Sequence, residues 1–70
     1  MNDRQKAAAK RFDKAWLIDT NMQGEPILYT RKGNRPTVDE FVLDIDGRAT
    51  KTGEYSFTKE LEKEIDKFRL

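Results

Sequence analysis

The fold depends on residues 37–47, TVDEFVLDIDG, which can be interpreted as a helix or as a strand. As a helix it would open with a capping box, because Thr37 can accept a bond from the third helical amide while Glu40 reaches back to the cap. As a strand it places every second residue from 41 to 45 on one face and ends in an Asp-Gly turn. We favour the strand, because two strands alone make a marginal sheet. The helical alternative stays open.

The preceding segment supplies two neighbours for that strand. Residues 15–20 and 27–31 are rich in bulky and β-branched side chains, and the turn formers between them include Asn21 and Pro26. We therefore predict a three-stranded antiparallel sheet over residues 15–20, 27–31 and 38–45. Residues 46–54 contain no large apolar side chain and are interpreted as a surface loop, with a short fourth strand near 48–51 as an alternative.

Helical patterns flank the predicted sheet on both sides. Asn2 or Asp3 can cap a first helix near residues 3–14, and a C-terminal amphipathic helix over 57–69 can be capped by Ser56 or Thr58. The predicted fold class is α+β, in one domain covering residues 1–70. It would bury one modest layer of side chains, drawn from Phe12, Trp16, Ile18, Ile27, Phe41, Leu43, Ile45, Phe57, Leu61, Ile65 and Phe68.

The composition argues against catalysis. The chain has no histidine and no cysteine, while 39% of its residues are charged. These two side chains supply much of the acid-base, nucleophilic and metal-binding chemistry available near neutral pH. Asp44, Asp46 and Gly47 suggest a calcium loop, but the required register places Val42 and Gly53 at positions that need carboxylates. We therefore expect no enzymatic activity, no catalytic residues, no metal site and no cofactor.

Charge is distributed unevenly along the chain. Residues 1–35 hold eight Lys/Arg and four acids, for a net charge of +4, whereas residues 36–70 hold six and nine, for a net charge of −3. The first half supplies a candidate surface for nucleic acid or a protein partner, formed by Lys10, Arg11, Lys14, Tyr29, Arg31, Lys32 and Arg35. A candidate acidic surface facing a partner consists of Asp39, Glu40 and Asp44.

Three functions are compatible with these features. The first is a small non-catalytic regulator or inhibitor that binds a larger protein or complex, as phages and plasmids encode. The second is a nucleic-acid-binding accessory factor that uses the basic residues, with Tyr29 and Trp16 available for base stacking. The third is a self-associating module in which Trp16, Met22 or Leu70 lies in a symmetric homo-oligomer interface. No apolar run is long enough to cross a membrane, and we expect a cytoplasmic protein.

Overall fold

The chain folds into one four-stranded sheet with a helix at each end. The computed structural model describes residues 1–70. Its elements are helix α1 (Asp3–Lys10), strands β1 (Lys14–Thr20), β2 (Pro26–Arg31), β3 (Thr37–Leu43) and β4 (Ala49–Ser56), helix α2 (Lys59–Ile65) and a short 3₁₀ helix (Asp66–Phe68). The strands lie in the order β1-β2-β3-β4, and each neighbouring pair is antiparallel. The α+β class is therefore confirmed.

The predicted number of strands was wrong. The structure has four strands instead of three, because residues interpreted as a loop form β4 at the edge of the sheet. Every β4 residue except Gly53 is exposed, so this strand is held by its backbone pairing with β3 and needs no apolar pattern. The alternative fourth strand near 48–51 covered only its beginning.

The stretch at residues 37–47 contains a strand over Thr37–Leu43, so the helical alternative is wrong. This segment forms a strand instead of a helix because β3 lies between β2 and β4 and pairs with both. Ile45 falls beyond the end of β3 and is 74% exposed, which removes it from the predicted core. The three predicted strands otherwise match β1, β2 and β3 to within a residue or two.

Both helices are shorter than the periodicity predicted. Helix α1 ends at Lys10, and the chain turns through Phe12 before β1 begins at Lys14. Helix α2 begins after Thr58, whose side chain caps it, and ends at Ile65. Phe57 precedes the helix and Phe68 closes the 3₁₀ helix, so the apolar spacing that suggested one continuous helix spans three local structures.

The core is divided between the two faces of the sheet, instead of forming one layer. Side chains alternate across a strand, so Leu17 and Leu28 face one way while Trp16 and Tyr29 face the other. On the α1 face, Ala8, Ala9, Leu28 and Leu43 are buried together, with Phe12 and Leu17 packed against them. On the α2 face, Trp16, Val38 and Ile65 are buried, with Ile18, Tyr29, Phe57 and Leu61 against them.

Helix α1 is fixed to the β3–β4 turn by polar contacts. Asn2 and Gln5 form a reciprocal capping box. The Asn2 side-chain amide also donates to the carbonyl of Ile45 at 2.9 Å, and the buried Gln5 amide donates to the carbonyl of Asp44 at 3.1 Å. An exposed ion pair joins Arg4 to Asp46. These contacts fix the direction of α1, and therefore the position of its basic C-terminal end.

Candidate binding surface

A groove lies between the C-terminal end of α1 and the β2–β3 turn. It is open to solvent, with a volume of about 660 Å³. Five basic residues line it, and we call it the basic groove: Lys10, Arg11, Arg31, Lys32 and Arg35. Phe12 and Phe41 also line the groove, with ring centroids 5.0 Å apart. The fold thus brings together cations that are distant in the sequence and places them around an aromatic pair.

Two members of the predicted basic set do not line the groove. Lys14 lies at the start of β1, opposite Arg31, and is half-buried. Tyr29 lies on the α2 face, where its ring centroid is 5.5 Å from that of Tyr55. Burial, and secondarily Glu40 and Tyr55, raise the pKa of the Tyr29 phenol above its ordinary value.

The groove cations differ in how they are engaged. Arg31 is held within the chain, since its Nε donates to the carbonyl of Arg35 at 2.8 Å and its guanidinium lies 4.2 Å from the centroid of the Phe57 ring. The other four side chains make no ion pair and donate no hydrogen bond within the chain: Lys10, Arg11, Lys32 and Arg35. Arg31 therefore shapes the turn, and the remaining four are available to an anionic ligand.

Both acids that line the groove already have partners within the chain. The Asp13 carboxylate accepts a hydrogen bond of 2.9 Å from the backbone N–H of Gly33, which ties the start of β1 to the β2–β3 turn. The Asp39 carboxylate lies 3.1 Å from the Lys51 ammonium. These contacts offset part of the negative charge in the groove, and the Asp13 bond also fixes the turn that carries Lys32 and Arg35.

Two further cavities continue from the basic groove around α1. A cavity of about 470 Å³ shares Lys10, Phe12 and Asp13 with the groove, and its apolar lining includes Ala9 and Leu70. A third, of about 700 Å³, shares Arg11, Phe12 and Lys32 with the groove. We call the three together the α1-side surface. It contains eight of the 14 basic residues: Arg4, Lys6, Lys10, Arg11, Arg31, Lys32, Arg35 and Arg48.

The predicted acidic set is not gathered on one surface. Asp39 and Glu40 are consecutive in β3 and therefore point to opposite faces of the sheet. Glu40 accepts a hydrogen bond of 2.9 Å from the Thr52 hydroxyl. Asp44 shapes the β3–β4 turn, because its carboxylate accepts the backbone N–H groups of Asp46 and Arg48. Each of the three acids thus has a partner inside the chain.

No group of three or more acidic, histidine or cysteine side chains is arranged to hold a metal ion. Neither helix has the length and apolar character needed to cross a bilayer. A comparison with protein-family models, curated proteins and solved structures finds no match. The α1-side surface is therefore interpreted from its own residues.

Sequence reasoning missed several residues of the α1-side surface. Phe12, predicted as a core residue, packs against the α1-face core, and because it is only half-buried it also lines all three cavities. Arg48 lies in the β3–β4 turn and reaches this surface only because the capping contacts fix α1 beside that turn. The sequence shows only that Arg48 is basic and follows a glycine. Its position beside α1 depends on the topology of the fold.

Proposed function

We propose that this protein is a small non-catalytic regulator or inhibitor that binds a larger protein, and that the α1-side surface is its docking surface. The observation that carries the proposal is that eight basic residues line three adjoining cavities, one of which has a mainly apolar lining. Protein interfaces commonly combine an apolar centre with a polar rim. The partner surface we expect is acidic, with at least one apolar side chain.

The aromatic residues favour a protein partner over single-stranded nucleic acid. Such nucleic acids bind where bases can stack on aromatic rings beside a basic track. The two rings expected to stack, Trp16 and Tyr29, pack on the α2 face, and Trp16 is only 2% exposed. The phenylalanine pair in the groove is also partly covered.

The proposal is tested by affinity capture from the native lysate with two triple variants. The α1-side variant carries Lys10→Ala, Arg11→Ala and Lys32→Ala. The α2-side variant carries Lys59→Ala, Lys63→Ala and Lys67→Ala, and it changes the net charge equally at exposed positions. We expect a stoichiometric protein partner that survives nuclease, is lost by the α1-side variant and is kept by the α2-side variant. Equal retention by both variants would contradict the proposal.

A nucleic-acid accessory role is the second candidate, and the contiguous cations support it. In that case the recovered material is nuclease-sensitive and binding weakens steeply with salt. The α1-side variant would then reduce the salt dependence by about three phosphate contacts. Salt titrations of fluorescence anisotropy with a single-stranded and a duplex oligonucleotide measure this directly. Phage or plasmid origin and a cytoplasmic location stay predictions from the sequence.

A further inference from the structure

The two edges of the sheet end differently. At the β1 edge, Arg69 forms a bridge with Trp16, and the backbone N–H of Leu70 donates to the carbonyl of Ala15 at 2.9 Å. At the other edge, β4 has β3 on one side and no strand on the other. An open edge presents unpaired backbone N–H and C=O groups to any strand that can approach it.

We propose that β4 pairs antiparallel with β4 of a second copy of this chain, about a two-fold axis at Gly53. The two four-stranded sheets would then join into one continuous sheet. None of the eight basic residues of the α1-side surface lies in β4, so this proposal does not rest on the docking function assigned to that surface.

A β-bulge in β4 sets the register of this pairing. Glu40 lies opposite Gly53 and Phe41 lies opposite Lys51, which leaves Thr52 as the extra residue. Without Thr52, β4 has equal lengths on the two sides of Gly53. An axis at Gly53 therefore places Lys51 opposite Glu54 of the second copy, and places Thr50 opposite Tyr55 of the second copy.

The charges of β4 complement themselves in this register. Lys51 and Glu54 share a face, since their charged atoms are 2.9 Å apart in one chain. In the dimer, each Lys51 would also face Glu54 of the second copy, and both pairs would join opposite charges. Opposite charges stabilise directly paired strands, and like charges destabilise them. An axis at Lys51 or at Glu54 would instead place two like charges together.

The centre of β4 suits a close two-fold contact. Gly53 has no side chain, and a Cβ built there would lie 2.9 Å from the Tyr55 hydroxyl, so the Tyr55 ring extends over this glycine. Tyr55 is 45% exposed. Pairing about Gly53 would bring the two Tyr55 rings toward each other and cover apolar surface that the single chain leaves in solvent.

The same features explain why assembly would stop at two copies. A bulge and a lysine discourage pairing of an edge with unrelated strands, whereas a second copy has the matching bulge and an opposing Glu54. At the β1 edge, Arg69 and Leu70 already engage the backbone at Ala15 and Trp16. An isologous contact uses the same edge of both copies and therefore closes on itself.

Sedimentation equilibrium over a wide concentration range tests the proposal. We expect the wild-type mass to rise from 8.2 kDa toward twice that value. Lys51→Glu and Glu54→Lys should each weaken self-association about tenfold or more, because each homodimer then opposes like charges twice. An equimolar mixture of the two variants should associate again, because both cross-strand pairs then join opposite charges.

Lys59→Glu is the matched control for Lys51→Glu, since it makes the same charge change at an exposed site outside β4. The Lys59→Glu protein should dimerise as the wild type does. Far-UV circular dichroism verifies that each variant is folded. A wild-type mass that stays at 8.2 kDa at every concentration would overturn the proposal. A mixture that associates no better than the single variants would overturn it as well.

Discussion

The two faces of the sheet are held to their helices by different forces. On the α1 face, the small side chains of Ala8 and Ala9 pack on Leu28, and hydrogen bonds from Asn2 and Gln5 fix the helix to the β3–β4 turn. On the α2 face, aromatic packing dominates, with the Trp16 and Phe57 ring centroids 5.7 Å apart. Polar contacts thus orient the helix that carries the basic groove, while apolar burial anchors the other.

The largest expected effect is at the centre of the α2 face. Trp16→Ala should lower the free energy of unfolding by about 3 to 5 kcal/mol, because it removes a large buried ring from a small domain. Urea unfolding followed by circular dichroism measures the loss. Trp16→Phe is the control and should cost clearly less, because the indole Nε1 has no hydrogen-bond partner to lose. A fully stable Trp16→Ala protein would contradict the assigned α2 core.

A glycine in the β3–β4 turn tests how closely α1 approaches the sheet. Gly47 has φ +82°, and a Cβ built there would lie 2.5 Å from the carbonyl oxygen of Arg4. Gly24 has a similar φ of +78° but open space around it. We expect Gly47→Ala to cost about 1 to 3 kcal/mol and Gly24→Ala to cost less, because only the first adds a clash to the backbone strain. Equal unfolding midpoints in urea would show that α1 is not held there.

The two helix caps also differ in how much they contribute to holding α1 and α2 in place. Thr58 accepts one hydrogen bond, from the N–H of Leu61 at 3.1 Å, so Thr58→Ala should cost about 0.5 to 2 kcal/mol. Asn2 accepts from the N–H of Gln5 and also donates to Ile45, so Asn2→Ala should cost up to about 1 kcal/mol more. Thermal unfolding of the two variants compares them. A smaller loss for Asn2→Ala would contradict polar anchoring of α1.

The smallest effect is expected at alkaline pH. The folded state holds the Tyr29 proton to a higher pH than the unfolded chain does, because burial, then Glu40 and Tyr55, raise its pKa above 10.0. Unfolding therefore releases this proton, and the free energy of unfolding falls as the pH rises past the pKa of tyrosine in the unfolded chain. Tyr29→Phe should lose less stability between about pH 9 and about pH 11 in urea titrations. An equal loss in both proteins would contradict this environment for Tyr29.

Local patterns predicted the elements that have an apolar signature. The strands containing Trp16 and Leu28 were predicted because they are rich in bulky and β-branched residues and flank a turn segment, and the strand containing Phe41 was predicted because its apolar residues alternate. Strand β4 was missed because an edge strand can be held by backbone pairing alone, without buried side chains that would mark it in the sequence. Leu28 and Val38, which are fully buried, were absent from the predicted core, since a sheet covered on both faces buries residues that a single layer would leave outside.

The candidate site was predictable in part for a similar reason. Charge counting identified the basic half of the chain, and Lys10, Arg11 and Lys32 do line one groove. Tyr29 is on the opposite face because it follows Leu28 in β2, and strand alternation fixes that separation once the register is known. Arg48 joins the surface through contacts between residues more than forty positions apart, which no local pattern encodes.

The most direct test of the docking surface is the affinity of the two triple variants for the partner recovered by capture. Isothermal titration at several salt concentrations, with the wild type alongside, separates a specific loss of binding from a general effect of charge. We predict that the α2-side variant binds as the wild type does, while the α1-side variant binds at least about tenfold more weakly and with less salt dependence. Equal affinities for the two variants would contradict a docking role for the α1-side surface.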